Sequence, residues 1–157
     1  HIFNHALMKG ALFLALGAVA YRIGAVTLGD FAGLGKRMPW TMAAIAIGGL
    51  SLIGVPPTAG FVSKWYLVLG TLEQGLWPIA VLILIGSLLA LVYVWRLIEA
   101  AYFGAVAADA PEVREAPASM LVPIWILVAA NIYFGINTDI SVGAAMQAAT
   151  MLMGNGG

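Results

Sequence analysis

The chain has 157 residues, of which 62% are hydrophobic and 9% are charged, whereas about 25% of residues in a soluble domain are charged. Its formal net charge is zero, which gives no case for nucleic-acid binding or a polybasic membrane anchor, and the lack of cysteine excludes disulfides and thiolate metal sites. Because Gly, Pro and charge clusters divide the apolar sequence into helix-spanning segments, we predict an all-α, polytopic transmembrane helix bundle.

The first predicted helix covers about residues 1–21 and carries a polar stripe. His1, His5 and Lys9 recur every four residues, so successive side chains are offset by about 40° and rise about 6 Å along one face. An ionised lysine near the bilayer centre costs at least about 3 kcal/mol, so the stripe is expected to face protein or water. Imidazole titrates near neutral pH, which favours a proton relay; a polar cluster that only holds helices together is the structural alternative.

A long apolar segment, about residues 40–71, follows a polar loop and is interrupted by the sequence GVPPTAGFVSKWYL. The two prolines lack N–H donors and push the residue before them out of the helical region. We therefore expect two half-helices in a single crossing, with backbone carbonyls freed at membrane depth. The residues assigned to this break are Val55, Pro56, Pro57 and Gly60.

Lys64 lies about two turns beyond the break, within an otherwise apolar half-helix. A partly desolvated amine can load and release a proton, so Lys64 is predicted to carry protons. The alternative is a lysine whose side chain snorkels to the lipid headgroups. The central position of Lys64 in the half-helix disfavours this alternative. Irregular backbone together with a lysine at membrane depth indicates an ion path.

Two further spans and a short helix complete the predicted bundle. One span covers about residues 79–103 and carries Arg96 and Glu99, whose spacing of three allows a structural ion pair on one helical face. The next span covers about residues 119–136. The last apolar stretch, 140–153, is too short to cross, so we expect it at the interface or packed on neighbouring helices.

The loop charges predict an orientation for the bundle. The first and third loops, residues 22–39 and 104–118, lie on one side and hold four basic residues, while the second loop, residues 72–78, holds none. The four are Arg22, Lys36, Arg37 and Arg114. The positive-inside rule therefore places these two loops in the cytoplasm and the C-terminus outside. In this orientation Lys64 lies on the outward half of its crossing.

Three motifs give the chain a specific resemblance to a known family. They are HIFNHALMKGALFLALG at residues 1–17, GLGKRMPWT at 33–41 and GLSLIGVPPTAGFVSKWYL at 49–67. The chain resembles the antiporter-like membrane subunits shared by respiratory complex I and the Mrp-type Na⁺/H⁺ antiporters. The residues around SKWYL resemble the D component of the Mrp-type complexes most.

The resemblance implies a fourteen-helix core built from two inverted repeats, of which this chain is expected to be the C-terminal third, forming a single membrane domain. By the same resemblance His1, His5 and Lys9 match a polar stripe that leads to the outlet. Lys64 matches the lysine of the broken twelfth helix, which is expected to pass protons outward. The family's proton-entrance residues would lie upstream of His1. The implied location is the bacterial inner membrane.

The sequence is compatible with three functions. The leading hypothesis is a proton-translocating subunit of a multisubunit monovalent cation/proton antiporter, and the first alternative is the equivalent subunit of complex I. The second alternative is a structural membrane scaffold. The expected partners are other membrane subunits, the lipid bilayer and H⁺, with Na⁺ or K⁺ left open as the exchanged cation. No cofactor or metal is expected, because there is no glycine-rich nucleotide loop and no carboxylate near His1 and His5 in sequence.

Overall fold

The structure of the protein is a computed structural model that describes residues 1–24, 27–106 and 112–153; Asp109 of the predicted third loop lies outside these ranges. The described residues form helices and turns without strands, so the predicted all-α class is confirmed. The helices are α1 (Ile2–Ile23), α2 (Leu34–Arg37), α3 (Pro39–Ile53), α4 (Ala59–Glu73), α5 (Trp77–Phe103), α6 (Ala118–Ile136) and α7 (Thr138–Met153), with a 3-10 turn at Leu28–Phe31.

Within the described ranges, three helices are long and apolar enough to cross a membrane. They are α1, α5 and α6, with 22, 27 and 19 residues. At 1.5 Å per residue they measure about 33, 40 and 28 Å, close to or above the thickness of a bilayer core, about 30 Å. The helices α3 and α4 have 15 residues each, about 22 Å, so each alone is shorter than a bilayer core of about 30 Å and the two together are long enough for one crossing. The protein is a multi-pass membrane protein.

The predicted discontinuous helix is confirmed, and local conformation explains its break. α3 ends at Gly54, whose φ of 95° lies in the left-handed region that glycine adopts without strain. Pro56 and Pro57 follow, and neither can continue a helical hydrogen-bond ladder. Thr58 is extended, and its hydroxyl donates to the Val55 carbonyl at 2.6 Å before α4 begins. The break is therefore fixed by glycine, proline and threonine together.

The core lies where α1 packs against α3 and α6. The buried face of α1 includes the small side chains of Ala11, Ala15 and Ala18, which let the neighbouring helices approach closely. Larger buried side chains, Met42 of α3 and Ile124 of α6, fill the remaining space. The helix α5 packs against α3 and α4 and leaves most of its side chains exposed, as a lipid-facing helix does.

The loop between α5 and α6 is fastened to the start of α3 by Glu115. Its carboxylate accepts the backbone N–H of Trp40 at 2.8 Å and the hydroxyl of Thr41 at 2.5 Å. Met38, at the N-cap position of α3, makes no side-chain cap, so Glu115 caps this helix from a distant part of the chain. Arg22, near the end of α1, donates to the Glu115 carbonyl at 2.5 Å. These contacts bring the first and third loops to the same end of the bundle.

Candidate functional site

Lys64 of α4 points back across the helix break. Its Nζ donates to the carbonyls of Leu52 and Ile53 at 2.7 and 3.1 Å, and to the Ser87 hydroxyl at 2.7 Å. An ammonium group has three donors, and all three are used here. The side chain is half-buried. The geometry therefore suits a protonated lysine held at the helix break rather than one that snorkels to the surface.

The two carbonyl acceptors of Lys64 exist because of the double proline. In a continuous helix the carbonyl of residue i accepts the N–H of residue i+4. For Leu52 and Ile53 those residues are Pro56 and Pro57, which have no N–H. The carbonyls also lie at the C-terminal, partially negative end of α3, where a cation is favourable. The sequence thus creates two orphan acceptors and places a lysine within reach of them.

Ser87 of α5 supplies the third acceptor. Its hydroxyl donates to the Ile83 carbonyl one turn earlier, at 3.2 Å, so its lone pairs remain available to Lys64. Sequence reasoning did not identify Ser87. Its only signal is that it is a single hydroxyl in the otherwise apolar run between Pro78 and Tyr93.

Gly54 makes room for the lysine side chain. A Cβ at this position would lie 3.1 Å from Lys64 Cδ and 3.9 Å from Nζ. The positive φ of Gly54 already disfavours any other residue. Both the turn of the backbone and the path of Lys64 therefore require glycine at this point.

A second polar cluster holds the start of α4. It is formed around the peptide group between Ala59 and Gly60: the Ala59 carbonyl accepts Asn4 Nδ2 at 3.2 Å, and the Gly60 N–H donates to Ser51 Oγ at 3.2 Å. Ser51 in turn donates to Asn131 Oδ1 at 2.9 Å. The side chains come from α1, α3 and α6, and all three are buried. Four helices therefore meet at one peptide group beside the break.

Close backbone approach explains the glycine in this cluster. A Cβ on Gly60 would collide with the Ser51 carbonyl and lie 2.8 Å from Met8 Sδ. On α6, a Cβ on Gly135 would lie 2.6 Å from the backbone nitrogen of Ala59. The absence of side chains at these two positions lets α3, α4 and α6 come together around the break.

The structure describes all three residues of the stripe predicted on the first helix. The rings of His1 and His5 are 5.5 Å apart, and Lys9 is exposed. Among the described residues, no hydrogen bond connects the stripe to Lys64; the α1 side chain that bonds to α4 is Asn4. A relay from the stripe to Lys64 stays a prediction. Sequence reasoning passed over Asn4, although its polar side chain in an apolar segment was visible.

Arg96 and Glu99 face a cavity at the end of α5. The cavity has a volume of about 460 Å³ and lies between this helix and the 3-10 turn that contains Leu28. Over the ranges that the structure describes, the two side chains form no ion pair, so their pairing also stays a prediction. The described residues include no cluster of three or more His, Asp or Glu side chains able to hold a metal ion.

Known proteins are similar to this chain in sequence and in fold. Residues 1–90 match the family described as NADH:quinone oxidoreductase/Mrp antiporter, TM. The chain is 43% identical to the NADH-quinone oxidoreductase subunit N of Desulforudis audaxviator, over 94% of this chain and 32% of that protein. It is 31% identical to the D component of the Na(+)/H(+) antiporter of Bacillus subtilis, over 98% of this chain and 31% of that protein.

A solved structure extends the likeness to the fold. The Mrp complex from Dietzia sp. contains a chain that superposes with a TM-score of 0.84 over 94% of this chain and 35% of that chain, at 23% identity. The present chain spans about a third of the length of each of these relatives.

Proposed function

This chain belongs to the NADH:quinone oxidoreductase/Mrp antiporter transmembrane family, and on that premise we propose that it carries the outward half of a proton path in a multisubunit monovalent cation/proton antiporter. Lys64 is the proposed carrier. The stripe of His1, His5 and Lys9 is the proposed relay that supplies it. The observation that carries the proposal is the bonding of the Lys64 ammonium to carbonyls that the double proline leaves unpaired.

This bonding gives Lys64 two states that differ by one proton. As an ammonium it satisfies three acceptors, and its charge is stabilised by the C-terminal end of α3. As an amine it has one donor fewer and no charge, so its attachment weakens and the side chain is freer to leave the break. A group that binds when protonated and is released when neutral is suited to passing protons along a path.

The alternative of a pure scaffold fits the buried polar atoms less well. Asn4 Oδ1 and Asn131 Nδ2 are buried and have no hydrogen-bond partner among the described residues. Each unpaired polar atom costs about 1–3 kcal/mol, so a cluster that only joined helices would be expected to satisfy them. Unpaired polar atoms in the cluster at the helix break favour a path for protons.

Orientation and location form part of the proposal. The contact between Arg22 and Glu115 joins the first and third loops, and the basic residues of these loops support a cytoplasmic location for this end of the bundle. The C-terminus would then lie on the outer side of a bacterial inner membrane. The proposed partners are the other membrane subunits of the complex, with H⁺ as the transported ion.

A second candidate function is the proton-pumping membrane subunit of a complex I-like enzyme. It is favoured by the identity of 43% to an NADH-quinone oxidoreductase subunit, against 31% to the D component of an antiporter. The same Lys64 chemistry would serve both. Proton movement driven by a cation gradient in membrane vesicles identifies the antiporter, whereas proton movement that depends on quinone reduction identifies the enzyme.

Proton flux in membrane vesicles that contain the complete protein tests the role of Lys64. We expect Lys64→Ala to abolish flux while the complex still assembles. The matched control is Lys36→Ala, which removes an exposed lysine of α2 and should leave flux unchanged. Normal flux in Lys64→Ala would instead favour the scaffold. His5→Gln tests the relay separately and should slow flux without affecting assembly.

A further inference from the structure

We propose that the carbonyls of Leu52 and Ile53 and the hydroxyl of Ser87 form a binding site for a monovalent cation of ammonium size, potassium in the cell. The protonated Lys64 occupies this oxygen cage and blocks it, and the neutral lysine leaves it open. This inference rests on the proposed function, because it requires Lys64 to lose its proton during transport. It assigns the exchanged cation a place at the same helix break.

The distances in the cage suit a cation of this size. Three oxygens lie 2.7, 3.1 and 2.7 Å from Lys64 Nζ. An ammonium group and a potassium ion have nearly equal radii and are both bound by backbone carbonyl oxygens, as in potassium channels. Sodium is smaller and would need the oxygens to move closer together. Water would complete the coordination shell of the bound ion.

When Lys64 leaves, the oxygens of the cage lose their hydrogen-bond donor, and the backbone that follows α3 cannot replace it. Pro56 and Pro57 have no N–H to offer to Leu52 and Ile53, which are half-buried, and backbone carbonyls at membrane depth require a partner. The hydroxyl proton of Ser87 is already donated to Ile83, so a lone pair of its oxygen faces the cage. Three oxygen acceptors therefore remain together and favour the entrance of another cation.

The charge balance makes the exchange one for one. When Lys64 gives up its proton, the cage loses one positive charge, and the arriving monovalent cation restores it. The negative potential comes from the end of the α3 dipole, because within the described residues Lys64 Nζ bonds to no carboxylate. Divalent cations usually need carboxylates, so the cage favours a single charge.

Within the described residues, no other titratable side chain hydrogen-bonds to Lys64 or to the three oxygens of the cage. The helix α3 contains none, and the titratable residues of α4 besides Lys64 are Tyr66 and Glu73. On α5 the closest in sequence to Ser87 is Tyr93, about 9 Å further along the helix axis. The helices α1 and α6 also contact α4: α6 contributes Tyr133, and α1 contributes the proposed relay residues His5 and Lys9 together with Tyr21 and Arg22. Protonation of Lys64 itself is therefore the event that opens or closes the cage.

Binding of radioactive rubidium to the complete, purified protein tests the proposal. Lys64→Ala removes the tethered ammonium, so we expect saturable rubidium binding, displaced by potassium and ammonium more readily than by sodium. Adding Ser87→Ala should weaken this binding by at least about tenfold. The matched control is Ser63→Ala in the same background: its hydroxyl donates to Gly60, away from the cage, so binding should be unchanged.

The outcomes separate this inference from the proposed function. If Lys64→Ala loses proton flux and shows no saturable rubidium binding, the cation site is wrong and the proton path stands. If Lys64→Ala keeps normal proton flux, the proposed function is wrong. Stronger displacement by sodium than by potassium would contradict the assigned ion size. Should Lys64→Ala fail to assemble, Lys64→Gln removes the charge with a side chain closer in volume, and the same results apply.

Discussion

Pro56 stands four residues after Leu52 and denies that carbonyl its helical hydrogen bond, and the carbonyl instead accepts Lys64 Nζ at 2.7 Å. Pro57 has the same relation to Ile53. Prolines usually weaken a membrane helix by leaving carbonyls unpaired. Here the unpaired carbonyls bind the ionisable group, so the break and the lysine form one structural unit.

Replacing both prolines tests this unit. In Pro56→Ala/Pro57→Ala, two new N–H groups can pair with Leu52 and Ile53 and compete with Lys64. We expect proton flux in membrane vesicles to fall although Lys64 is still present. The control is Pro78→Ala, since Pro78 occupies the first turn of α5, where no N–H is needed, and flux should be unchanged. Unchanged flux in the double variant would show that the prolines do not control Lys64.

Close packing at the break predicts different effects for two glycines of α4. In Gly60→Ala the new methyl group meets the Ser51 backbone and Met8, and overpacking should lower the free energy of unfolding by about 1–3 kcal/mol. In Gly70→Ala the methyl group meets nothing within 4 Å, and higher helix propensity should add up to about 1 kcal/mol. Unfolding of the purified variants measures both, and equal effects would contradict the packing.

The capping of α3 by Glu115 predicts a specific loss of stability. Glu115→Ala removes the acceptor for Trp40 N–H and Thr41 hydroxyl, so the free energy of unfolding should fall by about 0.5–2 kcal/mol. Glu115→Gln retains one oxygen acceptor and should lose less. Glu112→Ala is the control, because Glu112 is exposed, and its stability should match the unsubstituted protein. An equal loss for Glu112→Ala would argue against a cap.

Asp30 is predicted to make the folding stability depend on pH in the acidic range. The hydrogen bond from the Thr27 hydroxyl, and to a smaller extent the one from the Thr27 backbone N–H, hold the pKa of the Asp30 carboxyl below its ordinary value of 3.8. A lowered folded-state pKa contributes stability above the unfolded value, and this stability is lost as the pH falls through the folded value. Asp30→Asn should therefore be less stable than the unsubstituted protein near neutral pH, and this difference should shrink below pH 3.8. A difference independent of pH in thermal unfolding would contradict this origin.

The sequence predicted the helix break, and it singled out Lys64 as a candidate, because both signals are local. Two prolines and a lysine in an apolar segment can be recognised from helix chemistry alone. The spacing of four between each orphan carbonyl and its proline was also present in the sequence, and it could have identified Leu52 and Ile53 as the acceptors.

Other members of the site depend on tertiary packing and could not be identified from periodicity. Ser87, Asn4 and Ser51 come from helices whose rotation about their axes is set by neighbours. Glu115 resembles an ordinary loop charge until the loop is folded onto α3. For Arg96 and Glu99, a spacing of three permits a pair but does not require one, and exposed side chains gain little from pairing.

The most direct test of the central claim is proton flux in vesicles that contain the complete protein with Lys64→Arg. Arginine keeps the positive charge and can donate to the carbonyls of Leu52 and Ile53, but it does not release its proton in proteins. We predict an assembled complex with proton flux reduced to background. Flux equal to that of the unsubstituted protein would show that Lys64 supplies only a charge, and it would contradict the role of Lys64 as a proton carrier.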